Sequence, residues 1–322
     1  MNHADAAVSL LLEHVASLHG AAHSDEVAHT PAEQEAVKVA LAAGLLHRQG
    51  RSLLVALHTD HRTVVARSFR GHLTCASAAE VLGYPVLHPP EEVHVAVSRN
   101  HGVRASVKRP LDGVRLHRVL ELTPMTVDGL PLVVPAQVVA CCLVCMDETP
   151  AVAVADAALH RGDVTREEVS DLLTSRYAAT ARNRLAQTEP GTRSVLETVV
   201  RLALRRAGLR VECGVWIEDV GEVDFLVEGW LILEIDGYEF HSSREQIRKD
   251  RHREHAAARL GYVTIRLPHQ DVMEGERAIV STVVGAMRGV ARSSFIVDPY
   301  SPAIARKLGR LWNDGQGSHV HH

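Results

Sequence analysis

Along the first 60 residues, apolar positions cluster at residues 8–15 and 35–46 on either side of the polar segment 23–34, so residues 1–61 read as a helical region. From about Arg62 the pattern is mixed. Ser77-Ala-Ala-Glu80 has capping-box spacing and predicts a short helix that Gly83 and Pro85 close. Residues 93–97 and 114–117 alternate as half-buried strands do, and the turn formers Pro110, Asp112 and Gly113 between them predict a hairpin. Pro135 stands where an N1 proline belongs, leading an apolar helix, and Thr165-Arg-Glu-Glu168 caps another after Gly162.

The turn formers in residues 187–192 mark the strongest domain boundary in the chain. Beyond it, a helix from Ser194 to Ala207 is followed by β-rich runs at residues 211–216, 223–227 and 231–235. A charged helix from about Arg244 to Leu260 and a strand at 263–267 complete an α-β-β-β-α-β order. The expected fold is therefore α/β (α+β). Its divisions are a helical region 1–61, a small mixed α/β domain 62–187, a C-terminal domain 188–295 and a tail 296–322.

Composition narrows the class. With 46% hydrophobic and 23% charged residues among 322, the chain suits globular domains and excludes a disordered or collagen-like protein. No run of about 18 uncharged apolar residues occurs, and residues 1–15 lack a basic n-region and a cleavage site, so a cytoplasmic protein without membrane contact is expected. A net charge of -4 leaves nucleic-acid binding to a local basic patch. Five cysteines form an odd, sparse set, for which reduced thiols are expected. Cys142-Leu-Val-Cys145 has redox or zinc spacing, but it falls within a predicted helix without a second Cys or His pair near it in sequence, and reads as buried helical cysteines.

The chemistry concentrates in residues 221–241. If Glu228-Gly229 is a two-residue turn, Asp224 comes opposite Leu233, and a one-residue bulge would align it with Glu234. Glu234 and Asp236 share a face by the period-two rule. Three acids converging on a sheet repel one another, and a divalent cation with oxygen ligands makes such a cluster favourable. The alternative is that Asp224 and Glu234 face solvent and Asp236-Gly237 is a turn. Arg244, Arg248, Arg251, His255 and Arg259 recur every three or four residues and form a basic stripe of the kind that tracks phosphates or is merely solvated. Glu197 is also the N3 glutamate of a capping box from Ser194.

Residues 193 to about 270 resemble the PD-(D/E)XK nuclease superfamily, in particular its very-short-patch-repair (Vsr)-like branch. The likeness rests on Ser194-x-x-Glu197, Val223-Asp224-Phe225, Leu233-Glu234-Ile235-Asp236-Gly237 with His241, Lys249-Asp250-Arg251, and Gly261-Tyr-Val-Thr-Ile-Arg266. The resemblance implies a restriction-endonuclease-like core and a metal-dependent DNA endonuclease or nickase, with mismatched or damaged DNA as a substrate class. It implies that Asp224 and Glu234, with the carbonyl of Ile235, bind Mg²⁺ or Mn²⁺, that Glu197 is an outer contact, and that His241 is catalytic. Asp236 stands where the superfamily has the lysine of E-x-K and the Vsr-like branch a histidine, so the resemblance leaves either neutral His241 to take the proton of the attacking water, the favoured assignment, or Asp236 to orient that water or bind a second ion. Asp250 is either part of an intrahelical ion pair or a support for Arg253 or His241. Residues 62 to about 185 resemble AbiEi-type antitoxin proteins, through residues 73–83, 93–97, 129–131 and 156–162, which implies a DNA-docking or interaction module. Two rivals stay open on the sequence: a catalytically inactive DNA-binding regulator and a ribonuclease.

Overall fold

A computed structural model describes residues 3–100, 102, 112–174, 178–189, 191–236 and 244–294. The chain divides into two compact units, residues 1–190 and 191–322.

The first unit begins with α1 (His3–Ser17), β1 (Ala21–His23), α2 (Ser24–Val27), α3 (Pro31–Ala42), β2 (Leu46–Gln49) and β3 (Leu53–Ala56). The helical expectation for residues 1–61 is thus corrected: three strands in the order β1-β3-β2 accompany the helices. Strands this short carry too few alternations to outweigh the helical periodicity around them. Nor does this part stand alone. In α4 (His61–Ser68), Val64 packs with Ala21, Leu53 and Val55, while the buried Arg67 donates to the Ala21 carbonyl and pairs with Glu26 at 2.6 Å.

There follow β4 (His72–Leu73), α5 (Cys75–Val81), β5 (Val93–Ser98), β6 (Val114–Val119), β7 (Pro124–Val127) and β8 (Leu130–Val133). They form a sheet in the order β6-β5-β4-β8-β7. The expected hairpin of β5 and β6 is corrected, because the two strands are parallel. The stretch from Arg99 to Gly113 exceeds a hairpin turn and reaches the dozen or so residues that a parallel crossover needs. The expected capping box at Ser77 is corrected as well. The helix starts at Cys75, and Ser77 lies buried inside it with its hydroxyl accepting the His94 N–H at 2.9 Å. A tertiary partner claimed the side chain that the local rule assigned to a cap.

The sheet is backed by α6 (Pro135–Cys145), α7 (Glu148–His160), α8 (Arg166–Leu172) and α9 (Ala178–Ala186). Here the local signals hold: Pro135 is at the first turn of α6, and Thr165 and Glu168 close a reciprocal capping box on α8.

The second unit runs α10 (Val195–Arg206), β9 (Val211–Ile217), β10 (Gly221–Val227), β11 (Leu231–Ile235), α11 (Arg244–Arg259), β12 (Val263–Leu267), α12 (His269–Met273) and α13 (Glu276–Ser294). Its sheet has the order β12-β11-β10-β9, antiparallel except for the parallel pair β11/β12. One apolar cluster joins Phe225, Val227, Leu231 and Leu233 to Val200 and Leu204 of α10 and Ile279 and Val283 of α13. Another joins Val223, Leu226 and Ile232 to Ala256 and Ala257 of α11. Helices therefore cover both faces of the sheet, which is why β11 reads as a continuous apolar run up to Glu234. Among the described residues, no helix is long and apolar enough to cross a membrane.

Candidate functional site

The register of β10 and β11 decides where the acids meet. Val227 pairs with Leu231 and Phe225 with Leu233, so the next positions along the ladder are Asp224 and Glu234. The expectation of a two-residue turn is corrected to a three-residue loop, Glu228 to Trp230, with Glu228 (φ 53°) and Gly229 (φ 77°) both left-handed. That extra residue does what a bulge was expected to do. A second irregularity lies across the sheet: the β9/β10 ladder pairs Val223 with Val215 and Phe225 with Cys213 but omits Asp224 and Gly214, and Gly214 has φ 58° in mid-strand. The register is the same on both sides of this gap, so at the left-handed glycine one position of each strand drops out of the ladder without an extra residue on either strand. Its effect is visible in packing, since Val223 and Phe225, which period two would put on one face, enter different clusters.

Asp224 accepts the Ile235 N–H on Oδ2 at 2.9 Å, and its Oδ1 lies 3.5 Å from Arg193. Glu234 is half-buried. Its Oε1 accepts from Arg253 at 3.1 Å and its Oε2 lies 3.7 Å from Arg266. Arg253 is held in turn by the carbonyls of Val220 and Glu222 at 2.7 and 2.6 Å. Glu234, Asp250, Arg253, Thr264 and Arg266 line one shallow concavity between α11 and the sheet. Asp250 thus stands near Glu234, whose ionisation its charge opposes.

Glu197 is buried in the first turn of α10. Its N–H donates to Ser194 Oγ at 3.1 Å, but its carboxylate accepts the N–H of Arg193 at 2.8 Å, where a full capping box would use the N–H of Ser194. Burial holds the proton affinity of Glu197 above the ordinary value, partly offset by the Arg193 N–H and the Ser194 hydroxyl and reinforced by the charge of Asp224. Burial likewise raises Glu234, against Arg253 and Arg266, with Asp224 adding to the rise. The charge of Asp224 therefore acts on both Glu197 and Glu234 and disfavours their ionisation. Asp236 is half-buried at the end of β11, its N–H donating to the Leu267 carbonyl at 3.0 Å. His241 lies outside the described residues, as does the side chain of Arg244.

The basic stripe is exposed at Arg248, Arg251, His255 and Arg259. At 3.6 residues per turn it falls on the side of α11 opposite Arg253, Ala256 and Ala257, which face the sheet. The cations that touch the carboxylates are Arg193, Arg253 and Arg266. Sequence reasoning assigned Arg253 a supporting place and overlooked Arg193 and Arg266. Their signal is charge balance, because half-buried acids demand nearby cations.

The first unit holds a second constellation. Cys75, His94, His117 and Cys145 bring one ligand atom each to within 4.8 Å of one another, a group that could hold a metal ion; among the described residues the acids do not assemble a comparable set. The imidazoles of His94 and His117 stack with centroids 5.2 Å apart, and His94 Nδ1 lies 3.0 Å from His117 Nε2. Cys145 hydrogen-bonds with Cys75, which together with burial raises its thiol, against the lowering by His117 and His94. The reading of Cys145 as an ordinary buried helical cysteine is corrected. Cys142, its partner in the C-x-x-C spacing, is buried and not one of the four. Nothing local reveals this group, since its members come from α5, β5, β6 and α6.

No protein-family model and no curated protein matches the chain. Among solved structures, the crystal structure of the RV2827C protein from Mycobacterium tuberculosis is similar to part of it, at 16% identity over 56% of this chain and 82% of that chain, with a TM-score of 0.34, a likeness that carries no argument.

Proposed function

We propose that the C-terminal unit is a metal-dependent phosphodiester hydrolase acting on DNA, an endonuclease or nickase of the PD-(D/E)XK type. The observation that supports this most directly is the ladder position of Asp224, in the middle of β10, beside Glu234, near the end of β11, with Glu197 close to Asp224. Two half-buried or buried glutamates whose ionisation is opposed by burial and by the charge of Asp224 are costly to keep unless their charge serves a ligand. The donor chemistry fits a hard divalent cation, which is commonly held by one or two carboxylates with water and phosphate completing the shell.

In this reading Asp224 and Glu234, with the carbonyl of Ile235, hold Mg²⁺ or Mn²⁺. Bound there, the ion would offset charge on the phosphoryl group and lower the pKa of a coordinated water. The Ile235 N–H fixes one oxygen of Asp224, and the other, 3.5 Å from Arg193, would turn to a ligand if Arg193 gave way. Arg253, tied to two backbone carbonyls, fixes the rotamer of Glu234. Arg266, more loosely associated with Glu234, is placed to shift toward a phosphate oxygen. His241 takes the proton of the attacking water and Asp236 orients that water. The exposed cations of α11 contribute sequence-independent backbone contacts.

One observation favours a second reading. Arg193, Arg253 and Arg266 already neutralise Asp224 and Glu234, as they would in a catalytically silent DNA-binding domain. Nicking of supercoiled plasmid by the full chain with Mg²⁺, Mn²⁺ or EDTA separates the two. Cutting that requires metal and is lost in Asp224→Ala and His241→Ala supports the hydrolase. DNA retained in a gel shift with no cutting of plasmid or of a duplex bearing a G·T mismatch overturns it, and cutting of RNA in preference to DNA reassigns the substrate.

A further inference from the structure

We propose that Cys75, His94, His117 and Cys145 form a closed zinc site that ties the N-terminal unit together. The chemistry of the donors selects the ion: two thiol sulfurs and two imidazole nitrogens suit a borderline-soft metal in tetrahedral geometry, whereas magnesium and calcium take oxygens. The spacing fits too. With Zn–S near 2.3 Å and Zn–N near 2.0–2.1 Å, tetrahedral ligand atoms stand about 3.3 to 3.8 Å apart. The four atoms lie within 4.8 Å of one another, and the two nitrogens are already at 3.0 Å, so metal binding requires changes in spacing of at most about 1 to 1.5 Å. Four protein ligands leave no open position, which makes the site structural.

The backbone around the ligands is fixed in advance. Cys75 adopts φ 49°, a left-handed conformation that is unfavourable for a residue with a side chain and persists where its surroundings demand it. His94 is anchored from both sides, its N–H donating to Ser77 Oγ at 2.9 Å and its carbonyl accepting the Thr74 N–H at 3.0 Å. Ser77 and Thr74 flank Cys75, so the segment that places one ligand also places a second. His117 sits on β6, an end strand of its sheet whose hydrogen-bonded neighbour is β5 and whose residues are half-buried or exposed. An ion shared with Cys75 and Cys145 would fasten this end strand to α5 and to the C-terminal end of α6, supplying by coordination what apolar burial does not. Cys142, one turn before Cys145, is left out of the ligand set.

The test uses full-length protein in which His319, His321 and His322 are replaced by alanine, removing tail ligands. Zinc content is measured by plasma mass spectrometry, and the metal-stripped protein is titrated with Co²⁺. About one zinc ion per chain is expected, the stoichiometry of a four-ligand site. The cobalt form should show the strong visible bands of tetrahedral coordination together with thiolate-to-cobalt charge transfer. Both signals should disappear in Cys145→Ser and His117→Ala and persist in Cys142→Ser and Asp224→Ala. A cobalt spectrum without thiolate bands in protein with all four ligands intact overturns the site whether or not any variant folds. Zinc retained at full stoichiometry in Cys145→Ser overturns it equally, as does zinc lost only in Asp224→Ala, which would put the ion among the carboxylates.

Discussion

The two constellations, one in each unit, are built on opposite plans. In the second unit Glu197, Asp224 and Glu234 come from three of four successive elements, within 38 positions of chain counting from 197 to 234, and carry charge that arginines balance. In the first unit Cys75, His94, His117 and Cys145 span 71 positions, from 75 to 145, and are neutral donors brought together by a crossover and two helices. Glu234, near the end of β11, lines an open concavity where a substrate can approach. The four sulfur and nitrogen atoms lie within 4.8 Å of one another, on two buried and two half-buried residues. One arrangement suits a metal that must expose a coordination position, the other a metal that must not.

The sharpest way to break this contrast is a crossed pair of substitutions. Asp224→Ala should reduce plasmid nicking by at least about 100-fold, the size of loss expected when one element of transition-state charge stabilisation is removed, while leaving zinc content unchanged. Cys145→Ser should do the reverse, abolishing zinc binding and lowering the thermal midpoint of the first unit, with nicking per folded molecule changed far less. Matching losses of both properties in both variants would show that the units do not act separately.

Acid distinguishes the units next. His72 is pushed down to about 4, first by burial and then by the charges of Arg67 and His19. Its folded value lies below its ordinary value of 6.5. The unfolded chain therefore gains a proton before the folded one, and stability falls as pH drops from about 6.5 toward 4. The full effect is up to about 3 kcal/mol. Glu197 and Glu234 have the opposite sign. Their folded values are raised, so the folded state holds the proton more tightly, and their ionisation costs stability as pH rises through the carboxylate range. Hydrogen exchange at pH 7 and pH 5 should show protection falling around β4 and β5 while α10 and β10 keep theirs.

Glu197→Gln should then raise the thermal midpoint of the second unit slightly at pH 7, with the gain vanishing below the carboxylate range, and should lower nicking. A residue whose removal stabilises the fold and weakens the activity is one kept for function. A lower midpoint with unchanged nicking would assign Glu197 to helix capping alone.

The smallest effect concerns the outer face of α11. Arg251→Ala or Arg259→Ala should weaken binding to all DNA sequences alike and reduce the slope of log affinity against log salt by about one for each phosphate that the arginine neutralises. An unchanged slope would leave that stripe solvated and assign the phosphates to Arg193 and Arg266.

The order α10-β9-β10-β11-α11-β12 was legible because each element announces itself locally. Glycines and prolines bound the strands, Ser194 caps α10, and Gly261 ends the charged helix. What could not be read was pairing. Whether Asp224 meets Leu233 or Glu234 depends on one residue in the loop at Glu228, where a left-handed φ at a glutamate is tolerated by its surroundings. The β5/β6 pair shows the same limit, since alternation identifies strands and is silent on whether they run parallel. The short strands of residues 1–61 were lost because two or three alternations do not outweigh flanking helical periodicity.

The amino-acid sequence by itself determined the helices and strands from α10 to β12 in the second unit but not α12 and α13, which acids stand near one another along the chain, and that any cation for DNA must be local. Tertiary structure alone decided that Arg193, Arg253 and Arg266 hold those acids, that the basic stripe turns away from them, and that two cysteines and two histidines converge in the first unit. The physical reason is range. Helix periodicity, caps and turns are governed by backbone sterics and hydrogen bonds within a few residues. Ion pairs and metal shells are governed by distance in space, and that distance is set by strand register and crossovers that no local pattern encodes.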